Sequence, residues 1–288
     1  GMPGIKVPMP MIIGLDVAGK VRDIGPGVEG WTPGDRVLVN PLDPKEPQKG
    51  LMGEMIPGGT AELCVVDAIR LIAIPDGCSF EQAASLPVAY GTAHRMMFTR
   101  GNVTGDDRVL ILGASGGVGS CCVLLAKMVG AEVIACGSTE KKLAALKSWG
   151  ADEVINYKEE DFVKKIWELY TKPHRRTYTG GVTVVVNFTG GDTWVPSFRV
   201  LRRGGRLLTC GATAGFDPKT DLRYVWSFEL DVLGSNSWMP DDLEALMRLI
   251  ADGKLKPVID TVLPLEDTAE GVRQLDEREV IGKIIITP

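Results

Sequence analysis

The feature that most constrains this chain is a regular exchange of two patterns from about Ser79 onward. Short strand-like runs, "RVLIL", "EVIAC", "EVINY", "VTVVVNF", "RLLTC" and "DVLGS", are separated by segments with apolar residues at helical spacing. Strands that alternate with helices build a parallel sheet covered on both faces, the doubly wound α/β class. Roughly the first 80 residues read differently, because "AGKVRDIG", "GDRVLVN", "GGTAELCVV" and "IRLIAIPDG" are short apolar runs divided by Gly and Pro. They predict a small unit of strands and turns. After "ADGKLKPVIDTVLPL" come an amphipathic helix, "EDTAEGVRQLDER", and a last strand, "GKIIIT". Both are expected to return to the first unit.

With 288 residues, 44% of them hydrophobic, the chain has material for two cores. A formal net charge of -5, from 32 basic and 37 acidic residues, gives no overall basic surface, so no nucleic-acid partner is expected. No apolar run approaches the roughly 20 residues needed to cross a bilayer, and the N-terminus lacks a signal pattern. The expectation is a cytoplasmic protein with no membrane partner. The six cysteines, at 64, 78, 121, 122, 136 and 210, show no C-x-x-C spacing, which leaves neither a zinc module nor a disulfide framework visible. Cys121 and Cys122 read as packing residues of a helix. The loop "TKPHRRTYTGG", with Lys172, His174, Arg175 and Arg176, precedes a strand. Ligands of such sheets bind at the opposite, carboxyl ends of strands, so the loop reads as solvated. His94 reads as an ordinary helix residue.

Chemistry concentrates in "ILGASGGVGSCC", Ile111 to Cys122, which follows a strand and opens a helix with apolar Val118, Cys121, Cys122, Leu125 and Val129. A dinucleotide fingerprint places glycine at a tight turn, at the pyrophosphate and at the helix-strand contact. Those positions hold Ala114, Gly116 and Gly119 here, with Gly117 as an extra. About 20 residues on, an NAD enzyme carries an acid at the next strand tip. This chain has Gly137 and Ser138 there, then Lys141. A small hydroxyl residue leaves room for a 2'-phosphate and the lysine adds charge, a pattern that favours NADP(H). Lys141 and Lys142 also fit the solvated face of a helix.

At this point the residues resemble a family. "IIGLDVAGKVRDIGPGVEGWTPGDRV", "GGTAEL", "IPDGCSFEQAASLPVAYGTA", "GASGGVGS", "GADEVINYKEEDF", "LRRGGRLLTCGA", "GKLKPVI" and "GKIII" occur in the order of medium-chain dehydrogenases/reductases. The resemblance implies a GroES-like partial β-barrel domain over 1–88 with 258–288 and a Rossmann NADP-binding domain over 89–257. It also implies a nicotinamide cofactor in the cleft between them and a homodimer or homotetramer. Family members have several tens of residues ahead of "GMPGIKVPMP", so the barrel domain is expected to be truncated at its N-terminus. Among the branches, the zinc-lacking quinone oxidoreductases are nearest. Gly14, Leu15 and Asp16 replace the family's G-H-E, Glu81 to Ala93 holds neither Cys nor His, and "PLDPKEPQKGLMGEMIP" holds no cysteine. A catalytic zinc needs three protein ligands and a structural one four, so no metal is expected.

Carried over position by position, the resemblance implies a cofactor site of Thr92, Ser115, Gly116, Gly117, Val118, Ser138, Lys141, Tyr157, Asn187, Gly211, Ala212 and Asn236. Thr189, Gly190 and Ser235 are further positions at the same edge. No catalytic residue is assigned; water, Tyr90 and Thr92 are the candidate proton donors. The expected activity is hydride transfer from NADPH to a quinone or an α,β-unsaturated carbonyl, a small-molecule substrate. Two other readings stay open: an alcohol dehydrogenase whose zinc ligands lie in absent segments, and an NADPH-binding protein without turnover.

Overall fold

The computed structural model describes residues 7–288, so the start of the expected first domain, 1–6, lies outside the described residues. The chain divides into two compact units, Gly1–Gly91 with Trp238–Pro288, and Thr92–Ser237. The boundaries expected from sequence were 88/89 and 257/258. They differ because a methyl group at Gly91 would lie 2.9 Å from the Trp238 ring and 3.0 Å from Leu243, a packing that keeps the segment after 237 with the first unit.

In the first unit β1 (Val17–Lys20), β2 (Arg36–Val39) and β3 (Leu71–Ala73) form an antiparallel sheet in that order. Val17 faces Val39, and Val39 faces Leu71. The run "GGTAELCVV", expected as a strand, joins no ladder; no neighbouring strand pairs with it among the described residues, and Val65 stands fully exposed. Where the sequence lacks cysteines, the lobe near residue 43 is closed by buried polar groups. Arg70 donates to the Pro41 carbonyl at 2.7 Å and faces Asp43 at 3.8 Å, and Asp43 accepts from the Lys45 and Glu46 N–H groups. α1 (Phe80–Ala84) begins at a capping box in which Ser79 and Gln82 exchange backbone and side-chain hydrogen bonds. A run of wide helical turns, Leu86–Gly91, follows.

The second unit holds α2 (Thr92–His94) and a six-stranded parallel sheet. Its strands are β4 (Arg108–Ile111), β5 (Glu132–Gly137), β6 (Glu153–Asn156), β7 (Val182–Val186), β8 (Leu201–Thr209) and β9 (Asp231–Gly234). Their order is β6-β5-β4-β7-β8-β9. The chain thus starts mid-sheet, winds outward one way, returns, and winds the other way, which leaves a crevice at the carboxyl ends of β4 and β7. Helices α3 (Gly117–Met128), α4 (Glu140–Ser148), α5 (Phe162–Tyr170), α6 (Trp194–Val200) and α7 (Leu222–Ser227) connect the strands. All five residues of β7 are buried, as a central strand covered on both faces requires. Leu110, Ile134, Ile155, Val185 and Leu207 build the core beneath. α4 and α5 are capped by Thr139 and Asp161, whose side chains accept from first-turn N–H groups.

Back in the first unit, α8 (Pro240–Ala251) and α9 (Thr268–Asp276) accompany a parallel strand pair, β10 (Ile259–Pro264) with β11 (Lys283–Thr287). No helix among the described residues is long and apolar enough to cross a membrane.

Candidate functional site

The turn after β4 is built by backbone demands on particular residues. Gly113 takes φ +66°, the left-handed region that favours glycine, and so makes the tight bend expected one position later. Ala114 is fully buried instead, and its N–H donates to the Cys136 carbonyl of β5 at 3.2 Å. Gly119 is the contact glycine: a methyl there would lie 2.3 Å from the Gly113 carbonyl oxygen and 2.6 Å from the Ala114 Cα. Gly116 is the opposite case, with its nearest neighbour 3.8 Å from a methyl's position. The backbone at Gly116 therefore faces open space just ahead of α3. First-turn N–H groups of a helix lack intrahelical acceptors, so this space is suited to an anion. Ser115, Gly117 and Val118 complete the turn.

A second group lies at the tips of β5 and β6. Gly137 pairs with Asn156, and the Tyr157 N–H donates to the Gly137 carbonyl at 3.1 Å, which sets Tyr157 beside the Ser138 backbone. Ser138 is half-buried; Lys141, in the first turn of α4, and Tyr157 are exposed. None of these three side chains has a hydrogen-bond or ion-pair partner among the described residues. A hydroxyl, an ammonium and a phenol thus stand uncommitted at one edge of the sheet.

Beyond β7 and β8 two loops are locked together. Asn187 is fully buried, and its amide oxygen accepts from the N–H groups of Thr189 (3.0 Å) and Gly190 (2.9 Å). Its amide nitrogen donates to Ser197 Oγ (2.9 Å) and Thr193 Oγ1 (3.1 Å). Asn187 therefore shapes the loop from inside. The Ala214 N–H donates to the Thr189 carbonyl at 2.7 Å, and the Gly191 N–H to the Gly215 carbonyl at 2.9 Å. That pairing fixes the position of exposed Gly211 and Ala212. At the end of β9, Asn236 is exposed and accepts from Ser237 Oγ at 3.3 Å, while Ser235 Oγ is buried with no partner among the described residues. Thr92 is buried. Sequence reasoning missed Gly113 and the Thr193–Ser197 anchor of Asn187. The first was findable by asking which residue after β4 must take positive φ.

The other sequence candidates fall elsewhere. Asp16 accepts from the Val88 N–H at 2.9 Å and pairs with Lys283 Nζ at 2.8 Å, so both of its oxygens are engaged. Tyr90 is fully buried, and its hydroxyl accepts from the Val258 N–H at 2.8 Å. His94 meets the Phe98 ring edge-on. His174, Arg175 and Arg176 are exposed ahead of β7, at the amino edge of the sheet. No three His, Cys, Asp or Glu side chains among the described residues cluster as metal ligands would.

Cys121 and Cys122 are wholly buried in α3, and loss of solvent holds both thiols far above the usual cysteine range. Burial also pushes Cys136 and Cys210 up to about 12. The thiolate is the reactive form. A thiol reagent at neutral pH is therefore expected to label exposed Cys64 first, and buried Cys121, Cys122 and Cys136 only on unfolding. Rapid native-state labelling of Cys121 or Cys122, read by peptide mass spectrometry, would contradict this.

Residues 117–252 match the zinc-binding dehydrogenase family, and residues 2–76 match the alcohol dehydrogenase GroES-like domain. The crotonyl-CoA reductase of Streptomyces avermitilis is 32% identical over 95% of this chain and 67% of its own length. A solved NAD-dependent alcohol dehydrogenase is 35% identical with a TM-score of 0.87, over 98% of this chain and 84% of that one. A 2-octenoyl-CoA carboxylase reductase, solved with NADP and 2-octenoyl-CoA, is 31% identical with a TM-score of 0.84, over 96% and 68%.

Proposed function

The chain belongs to the medium-chain dehydrogenase/reductase superfamily, and on that premise we propose that it is an NADPH-dependent reductase of α,β-unsaturated carbonyl compounds, acting without zinc. The observation that carries the cofactor choice is the uncommitted trio Ser138, Lys141 and Tyr157, with no acid at the tip of β5. The residues present fit a dinucleotide phosphate: the open backbone at Gly116 and the α3 N-terminus suit its pyrophosphate, and the trio suits a 2'-phosphate. Bound there, the nicotinamide supplies the hydride.

The chain's own residues hold and orient. Gly113 and Gly119 let the turn approach closely, Asn187 fixes the loop after β7, and the paired loop after β8 sets Gly211 and Ala212. The acceptor class is supported by the names of two relatives, a crotonyl-CoA reductase and a 2-octenoyl-CoA carboxylase reductase. Zinc independence is supported by Asp16, which stands next to the residue replacing the family's histidine ligand and has both oxygens engaged within the protein. The protein acts on a small molecule, with the cytoplasm as its compartment. Self-association into a homodimer or homotetramer suits β9, the last strand of the sheet order.

A second reading has a specific observation in its favour, because the 35% identical structure is an NAD-dependent alcohol dehydrogenase. Paired NADPH and NADH titrations, followed by an acceptor panel of enoyl thioesters, enals, quinones and alcohols, separate the two. We expect tighter NADPH binding and turnover of conjugated acceptors. Tighter NADH binding with alcohol oxidation would establish the second reading instead. Ser138→Asp is expected to weaken NADPH binding at least about tenfold and to spare NADH, because a carboxylate repels the 2'-phosphate and accepts from ribose hydroxyls. Equal loss of both cofactors would mean that the strand tip does not select between them.

A further inference from the structure

Ser235 follows β9 at the carboxyl edge of the second unit, buried between exposed Gly234 and Asn236. Among the described residues, its Oγ is the one fully buried side-chain oxygen or nitrogen that lacks a hydrogen-bond partner. Buried polar groups are paired as a rule, because the bond to water lost on folding has to be replaced. Ser197, in the same unit, follows that rule. It is equally buried, but its Oγ accepts from Asn187 Nδ2 at 2.9 Å and donates to the Thr193 carbonyl at 2.8 Å.

The backbone is not free to shift and find Ser235 a partner. Its N–H donates to the Thr209 carbonyl of β8 at 2.8 Å, and the Gly234 carbonyl just before it accepts from Arg100 Nε at 3.0 Å. On the neighbouring strand the Thr209 hydroxyl is itself committed, donating to the Gly211 carbonyl at 3.0 Å. What is left is rotation about χ1, which carries a serine hydroxyl from one staggered position to another. The residue as a whole is not sealed, since 8% of its surface remains open.

We propose that the Ser235 hydroxyl is held without a partner in the free protein and gains one from the amide of a bound nicotinamide. A dinucleotide lies across a doubly wound sheet with one mononucleotide half on each side of the crevice. The trio Ser138, Lys141 and Tyr157 puts the adenosine half over β5 and β6, so the nicotinamide half falls to the side of β7, β8 and β9, where Ser235 stands. A carboxamide offers both N–H donors and a carbonyl acceptor, which suits a hydroxyl in either role. The free protein bears the desolvation cost of the unpaired group, and binding relieves it, so the lost stability reappears as affinity for the nicotinamide end. The inference rests on the proposed dinucleotide site, but not on the choice between NADPH and NADH, which share that end.

Ser235→Ala tests this with two readouts of opposite sign. Without cofactor its Tm should rise by about 2–4 °C, because a hydroxyl that costs free energy is removed. Ser197→Ala, which takes away a paired hydroxyl, should lower Tm instead. Calorimetric titration of Ser235→Ala should show NADPH and NADH each bound about five- to tenfold more weakly than by the parent. 2'-Phospho-ADP-ribose, which lacks the nicotinamide, should bind parent and variant alike. A lower or unchanged Tm in Ser235→Ala overturns the proposal, because the hydroxyl would then already have a partner, such as a trapped water. Unchanged affinity for both dinucleotides, or an equal loss for 2'-phospho-ADP-ribose, overturns it too. A parent protein that binds neither dinucleotide removes the proposed cofactor site itself, whereas parental binding with no loss in Ser235→Ala removes this contact alone.

Discussion

Gly116→Ala is expected to abolish NADPH binding in a protein that unfolds at the native temperature, whereas Gly119→Ala should lose both binding and stability. The two glycines are three residues apart but answer to different constraints. A methyl at Gly116 meets nothing closer than 3.8 Å and would stand in the open space at the head of α3. A methyl at Gly119 would lie 2.3 Å from a backbone oxygen that has no flexible side chain to yield. Alanine gains about 1 kcal/mol over glycine in a helix, but overpacking against a rigid neighbour costs about 1–3 kcal/mol, and backbone neighbours put this site at the upper end. We therefore expect Gly119→Ala to lower Tm by about 5 °C, given roughly 2–4 °C per kcal/mol in chains of this size. Thermal scans and fluorescence titrations of both variants check the pair. A Gly116→Ala protein that binds NADPH as well as the parent would remove this turn from the cofactor site.

Asn187→Leu should be the more damaging change to the fold. Leucine fills a similar volume, but it withdraws acceptors from the Thr189 and Gly190 N–H groups and a donor from Ser197 Oγ. Gly190 is buried, so water does not replace its lost acceptor, while Ser197 Oγ keeps its bond to the Thr193 carbonyl at 2.8 Å. Each stranded group costs about 1–3 kcal/mol, which puts the total near 3 kcal/mol or above. The loop after β8 leans on this one through the Ala214 N–H, so NADPH affinity should fall as well. Urea denaturation would show a lower midpoint with an unchanged slope. Asn187→Asp keeps the acceptor side and should retain the loop better. Parental stability in Asn187→Leu would refute the anchoring role.

The sheet was legible in the sequence because its strands are buried on both faces, so "VTVVVNF" and its kin read as unbroken apolar runs with turns between them. The strand tip at Gly137 and Ser138 was legible for the same reason, since register follows once the strands are placed. Other features depend on partners distant in the chain. "GGTAELCVV" has the composition of a strand, yet pairing decides the matter and no neighbouring strand pairs with it. Asn187 could be placed at a strand end from sequence. Its burial and its hydrogen bonds to residues up to ten positions away could not. The fingerprint read from Ala114 missed Gly113, because spacing was matched where the physical requirement is a positive φ.

α3 is buried on nearly every side, with Gly119 to Val123, Leu125 and Ala126 all in the interior. A helix held this way has no local opening that leaves the sheet intact. Its amide protons should exchange with solvent only through global unfolding, placing it in the slowest-exchanging class of the molecule. The anion-facing end of the helix is thus pre-formed, and a bound dinucleotide needs no ordering of that element. Ligand binding should then slow exchange along α3 by the factor 1 + [L]/Kd, so the isotope clock of one helix reads the cofactor's affinity without any catalytic assay.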